Sequence, residues 1–284
     1  TTRTRQSPGG HRIELRWGQP AGAGPQGCPP GTSVEVLDLF GNLPARRKFL
    51  KSSSSETVRV QELVARYALA FSSVRFQLLV DGRLALATPG NGKPRETLLA
   101  VYSAEAAKGM LEVHGQDPET GYRVDGFVSA PALHRANRSY MTFYVNRRWI
   151  QNRMLSYAVE EAYHGLLPDK RHPLATLDLS LPYADVDVNY HPAKREVRFH
   201  LEGKVFSTLQ RAVRATLMAD SPVPQVHGTV GAPVGAPAAF APDPAGWKGS
   251  FFPRTPFGGG PGGSYAPGPQ QAPPALKVVG QVKL

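Results

Sequence analysis

GTSVEVLDLFGNLPARRKFL, Gly31–Leu50, is the stretch on which the reading of this 284-residue chain turns. Gly31 permits a tight entry and Thr32 suits a strand. Val34, Val36 and the run Leu37–Phe40 predict an extended segment, and Pro44-Ala45-Arg46 is able to cap it and turn the chain. Upstream, Ile13, Leu15 and Trp17 alternate with polar residues, which predicts a strand over 11–17 with one apolar face. The intervening Gly18–Pro30, rich in Gly, Pro and Ala, reads as a loop, so the two strands are expected to form a hairpin. Two strands do not stand alone in water, so they must belong to a larger sheet.

Further along, Ser53 with Glu56 three positions later fits a capping box. Val60, Leu63, Val64, Tyr67 and Phe71 then fall on one helical face. Val74, Phe76, Leu78 and Val80 alternate up to Asp81-Gly82, and Leu84 and Leu86 follow, which predicts a hairpin with a two-residue turn. A helix is expected over Glu96–Lys108, strands near Leu111–Val113, Tyr122–Ala130 and Tyr140–Asn146, and a helix over Leu155–Leu166. Alternation at Leu177, Leu179 and Leu181, at Val186 and Val188, and at Val197 and Phe199 continues the strand set, and Phe206, Leu209, Val213 and Leu217 mark a closing helix. Residues 221–275 hold 13 Pro and 11 Gly, too little apolar surface to offset chain entropy, so a disordered linker is expected there. Apolar, strand-like character returns at Ala275–Leu284.

Composition bounds the function classes. No apolar run approaches the roughly 20 residues of a membrane-spanning helix. The sequence opens on Thr1 without a Met or the apolar core of a secretory leader, and reads as a piece of something longer. A single cysteine, Cys28, forms no internal disulfide and no cysteine-based zinc site, and suits a reducing, cytoplasmic setting. The eight His residues show no paired metal-ligand spacing. A net charge of +11 favours a polyanionic partner without naming one. Arg135, Arg138, Arg147, Arg148 and Arg153 are the only charged residues between Asp125 and Glu160, an acid-free run suited to phosphate contacts, while Tyr140, Tyr144 and Trp149 read as packing residues. Lys194 follows His191-Pro192-Ala193, where proline stiffens the loop, and its ammonium is a compact charge suited to a terminal phosphate.

Three stretches resemble the MutL family: Gly31–Leu50 with its Leu39-Phe40-Gly41-Asn42-Leu43-Pro44-Ala45-Arg46 core; Tyr144-Val-Asn-Arg-Arg148; and Val186–Phe199, which contains Asn189-Tyr-His-Pro-Ala-Lys194-Arg-Glu-Val197. They occur in the family's order, and the resemblance covers about residues 1–220. It implies an α+β architecture. Residues 1–52 would be the end of an ATPase domain of the gyrase/histidine-kinase/MutL (GHKL) superfamily. Residues 53–220 would be a ribosomal-protein-like β/α transducer domain with a left-handed β-α-β crossover. The linker 221–275 would lead to 276–284, where Val278–Val282 resembles the opening strand of a C-terminal dimerisation domain.

The same resemblance assigns roles. Gly31 and Thr32 would lie on the adenine side of an ATP pocket, and Lys194 would reach the γ-phosphate from the transducer domain. Asn42, Pro44 and Arg46, with Ala45 and Lys48, would form the hinge between domains. Arg153, opening its helix, would bind DNA together with Arg147 and Arg148. The family's general-base Glu, Mg-binding Asn and adenine-site Asp-x-Gly-x-Gly are not in this sequence, so ATP with Mg2+ would be held mainly by residues outside it and no catalytic residue falls within it. Implied partners are DNA, a MutS-type mismatch sensor, a sliding clamp, a nicking endonuclease or helicase, and a second copy forming a homodimer, with no membrane. The implied role is that of an ATP-gated coordinator linking mismatch recognition to strand nicking and unwinding. Two rivals share parts of this pattern. A stand-alone nucleic-acid-binding module would account for the charge but not for Gly31–Leu50; the transducer of a type II topoisomerase relative would lack the Leu39–Arg46 core.

Overall fold

The computed structural model describes residues 1–188 and 196–220, and the backbone of 280–282. It divides into two compact units, the first built on Thr1–Thr57 and the second beginning at Val58. The expected linker over 221–275 lies outside the described residues.

The first unit is a sheet of β1 (Thr2–Arg3), β2 (Gly10–Arg16), β3 (Gln19–Gln26), β4 (Gly31–Val34) and a closing strand, Gly280–Val282. Read across, the order is Gly280–Val282, β4, β1, β2, β3, with antiparallel neighbours. The expected loop over Gly18–Pro30 is therefore largely strand β3, and β2 makes its hairpin with β3 rather than with the segment after Gly31. The reason is local. Trp17 and Gly18 have φ of 54° and 84°, the left-handed pair of a two-residue turn, and this turn sets the register Arg16↔Gln19. β3 lies at the sheet edge, where Pro20 and Pro25 remove donors that an inner strand would need. The expected extended run also stops early, at Val34. Beyond it, Asp38 (φ 48°) and Phe40 (φ 63°) turn the chain into α1, Pro44–Arg47, whose fixed proline φ suits the first helical turn.

The second unit packs helices on both faces of a mixed five-stranded sheet. Its elements are α2 (Ser53–Ala70), the hairpin β5 (Gln77–Val80) and β6 (Arg83–Ala87), α3 (Pro94–Val101), α4 (Ala104–Lys108), β7 (Met110–Gln116), β8 (Arg123–Ser129), β9 (His134–Arg135), β10 (Met141–Val145), β11 (Arg148–Ile150), α5 (Arg153–Ala162), β12 (His172–Pro173), β13 (Ala175–Ser180), β14 (Val186–Asp187), β15 (Arg198–Phe199) and α6 (Glu202–Asp220). The sheet order is β11-β10-β13-β8-β7. β10 and β13 are parallel, joined through β11 and α5, and the other pairs are antiparallel. One face buries Val113, Val124, Phe143, Leu177 and Leu179 against Leu155 and Val159 of α5 and Leu209 and Val213 of α6. Full burial of each such side chain contributes about 1.5–3 kcal/mol. The other face gathers Met110, Phe127 and Leu174 with Ala65 and Ala68 of α2 and Leu98 and Val101 of α3.

Several elements depart from the sequence reading. The cap of α2 sits one residue earlier: the Ser52 hydroxyl accepts the Ser55 N–H at 3.4 Å, and Glu56 accepts that of Lys51 at 3.1 Å. Its buried stripe is Ala65 and Ala68, while Tyr67, 52% exposed, stacks on Phe71. Small side chains let the helix approach the sheet; Val64 and Leu69 pack against the same cluster, while Leu63 and Tyr67 are exposed. The single helix expected over Glu96–Lys108 breaks at Tyr102-Ser103, because the Ser103 hydroxyl accepts the Ala106 N–H and starts α4. Asp81-Gly82 forms the expected turn, with φ of 49° and 76°.

Candidate functional site

Arg147, Arg148 and Arg153 are exposed around β11, the edge strand of the second sheet. Asn146 and Arg147 form the tight turn into that strand, with φ of 50° and 64°. The left-handed region costs a non-glycine residue roughly 1–2 kcal/mol, so this turn must be held. The Asn146 side chain clamps it: its amide donates to the Leu181 carbonyl and its oxygen accepts the Leu181 N–H, both at 2.9 Å. The Arg147 N–H donates to Asp178 at 3.1 Å. Burial holds the Asp178 carboxyl above the usual carboxylate range, opposed by that N–H and by the nearby Arg147 charge, and reinforced by Asp125 across the sheet.

Arg153 is the first residue of α5. The Asn152 side chain caps this helix by accepting the Leu155 N–H at 3.2 Å. Among the described residues, no carboxylate pairs with Arg147, Arg148 or Arg153. The other two arginines of the run behave differently. Arg138 makes a fork with Glu160, Nε–H to Oε1 at 2.6 Å and Nη2–H to Oε2 at 2.8 Å, and Arg135 packs over the Tyr140 ring at 5.4 Å. The acid-free run in sequence is thus not acid-free in space, because α5 brings Glu160 back to Arg138. The aromatic residues are packing groups: Tyr140 and Tyr144 are buried, and the Arg66 guanidinium lies 4.4 Å above the Trp149 ring.

Gly31 (φ 126°) and Thr32 sit on β4, where the Thr32 hydroxyl hydrogen-bonds that of Thr2 at 2.8 Å. Thr32 is exposed, so its hydroxyl is available to a ligand or to water. Asn42, Pro44 and Arg46 are also exposed, and the Arg46 guanidinium lies 5.9 Å from the Phe40 ring centre. Lys194 lies outside the described residues. The ladder flanking it is described: Val186 pairs with Phe199 and Asp187 with Arg198. Tyr122 fastens its base by donating to Asp185 at 2.9 Å. Among the described residues, no group of three or more His, Cys, Asp or Glu side chains is arranged to hold a metal ion. The exposed Thr32 hydroxyl suits one edge of a nucleotide.

Sequence reasoning passed over Asn146 as a clamp and Asp178 as the support of the Arg147 turn. The signal for Asp178 was its place between Leu177 and Leu179, a carboxylate on the polar face that it shares with Thr176 and Ser180.

Residues 98–218 match the family described as DNA mismatch repair protein, C-terminal domain. The DNA mismatch repair protein MutL of Heliobacterium modesticaldum is 44% identical over 191 residues, covering 67% of this chain and 29% of that protein. The chain therefore spans less than a third of this relative's length. Among solved structures, the N-terminal domain of a DNA repair protein aligns with a TM-score of 0.65 at 25% identity, over 76% of this chain and 70% of that one. The Aquifex aeolicus MutL ATPase domain complexed with ADP aligns with a TM-score of 0.54 at 27% identity, over 78% of this chain and 72% of that one. The mixed α/β fold is thus that of DNA-repair ATPase domains. Within that class, the chain belongs to the MutL family of DNA mismatch repair proteins.

Proposed function

We propose that this chain is the DNA-contacting and ATP-responsive portion of a mismatch repair coordinator. The observation that carries the reading is the set of three exposed guanidinium groups around one edge strand, none of them in a salt bridge among the described residues. Guanidinium groups on such an edge suit backbone phosphates and carry no base reading, so binding would be largely indifferent to sequence and steeply salt-dependent. Support for the nucleotide link comes from the ADP-bound relative and from the family motif around Gly31, Thr32 and Lys194. In this reading Gly31 and Thr32 face the adenine side, the Lys194 ammonium meets the terminal phosphate, and Asn42, Pro44 and Arg46 form the hinge. Mg2+ would be held mainly by residues outside this sequence. Departure of the terminal phosphate would remove an interaction made only with ATP, which ties domain orientation to hydrolysis. The partners follow the family: a mismatch sensor, a sliding clamp, a nicking endonuclease or helicase, and a second copy.

The test is Arg153→Glu, measured as duplex DNA affinity across a salt series. Affinity is expected to fall at low salt, and the log–log salt slope to flatten by about 0.9 for each DNA phosphate that the variant no longer neutralises. Unchanged affinity and slope would remove Arg153 from the DNA path.

A further inference from the structure

Two exposed tyrosines stand beside the arginines around β11. Tyr157 is on α5, four residues after Arg153, so the two side chains are neighbours on one helix face, about 6 Å apart along the axis. That face looks outward, because the same helix buries Leu155, Ala158, Val159 and Ala162. The Tyr157 ring is 58% exposed and is braced by the Phe206 ring of α6, with centroids 5.9 Å apart and planes tilted by 37°.

Tyr183 is more exposed still, at 86%. It opens a single 3-10 turn, Tyr183–Asp185. Leu181, two residues before it, is the residue that the Asn146 side chain clamps, and Asn146 precedes Arg147. Two residues of chain span at most roughly 7 Å, so the backbone of Tyr183 stays close to the Arg147 turn. The far end of the 3-10 turn is held as well. Tyr122 donates to the Asp185 carboxylate at 2.9 Å, and the His200 N–H donates to the Asp185 carbonyl at 3.0 Å. An exposed ring thus sits on a backbone fastened on both sides.

A lone exposed aromatic needs no explanation. Here two arise on different elements, and each lies next to an arginine that makes no salt bridge among the described residues. A guanidinium takes a phosphate, and an aromatic face beside it takes a base of the same strand. Bases of a closed duplex are stacked on one another, whereas those of a single strand can turn out onto such a ring. Every base has a π face, so the contact adds affinity without selecting sequence.

We propose that Tyr157 and Tyr183 each stack on a base of single-stranded DNA whose phosphates lie against Arg153 and Arg147. This rests on the reading of those arginines as phosphate contacts, and it names the ligand they prefer: an open strand rather than a closed duplex.

The test titrates the whole chain, across a salt series, with two ten-nucleotide probes that carry the same phosphates. One is oligo-dT and the other is its abasic counterpart, which lacks every base. The parent is expected to prefer oligo-dT by at least about tenfold. Tyr157→Ala and Tyr183→Ala are each expected to weaken oligo-dT binding by about tenfold while leaving the abasic probe unaffected. The loss should be the same at every salt concentration, because no phosphate contact is removed and the log–log slope is kept. Tyr157→Phe and Tyr183→Phe retain the ring and should bind as the parent does. Arg153→Glu, by contrast, should weaken both probes and flatten the slope. Equal affinity of the parent for the two probes overturns the stacking and leaves the phosphate reading standing. So does a preference for oligo-dT that survives both alanine substitutions. A preference lost in the alanine variants, with the slope of Arg153→Glu unchanged, would uphold the stacking and sink only the Arg153 contact.

Discussion

Single residues decide where this fold has no freedom. Gly126 lies in β8, paired with Val113 on one side and Leu177 on the other, at φ 147°. A Cβ there would overlap the Thr176 carbonyl oxygen, which belongs to the neighbouring strand and cannot swing aside. Gly126→Ala is therefore expected to cost more than about 2 kcal/mol, from strained backbone and displaced strand together. A urea titration reads this directly, and a midpoint within error of the parent would refute it. This glycine was not legible in the sequence, because its need comes from a partner strand some fifty positions away. Arg147, Arg148 and Arg153 were legible as a basic run. What could not be read was that Arg138, of the same run, is taken by Glu160 while those three make no salt bridge among the described residues. Charge order along a chain does not contain the return path of α5.

At the scale of elements, patterning succeeded where tertiary packing agrees with local preference. The Asp81-Gly82 turn, the strands β7, β8, β10 and β13 and the closing helix α6 follow from alternation and periodicity. Patterning failed where the backbone rather than the side chains makes the element. β3 reads QPAGAGPQ, with no apolar alternation, and is a strand because its turn and its ladder with β2 fix it. In α2 the large apolar residues gave the stripe only in part: Val64 packs against the core, but Leu63 and Tyr67 are exposed and the fully buried residues are Ala65 and Ala68. α5 offers a measurable element-scale effect. Its start depends on the Asn152 oxygen accepting the Leu155 N–H, so Asn152→Ala is expected to lower stability by about 1 kcal/mol. Thermal unfolding compared with Asn152→Asp, which keeps an accepting oxygen, separates the cap from other effects; equal destabilisation in both variants would sink the capping argument.

For the whole molecule, the family was legible because three motifs occur in its order across about 170 residues. The nucleotide role assigned to Lys194 belongs at this scale, since it concerns communication between domains. In the full-length protein, Lys194→Ala is expected to lower ATP turnover or ATP-driven closure while leaving the melting temperature in place. Turnover and closure both equal to the parent's would refute it. One consequence of the outer margin of the first sheet remains. Pro20 and Pro25 lie on its last strand, opposite Leu15 and His11, and neither has an amide hydrogen to offer outward. An incoming strand from another molecule would find gaps in the ladder that it needs. The margin that looked like a mere connector in the sequence is therefore expected to hinder edge-to-edge addition of a strand, and replacing both prolines to ease it.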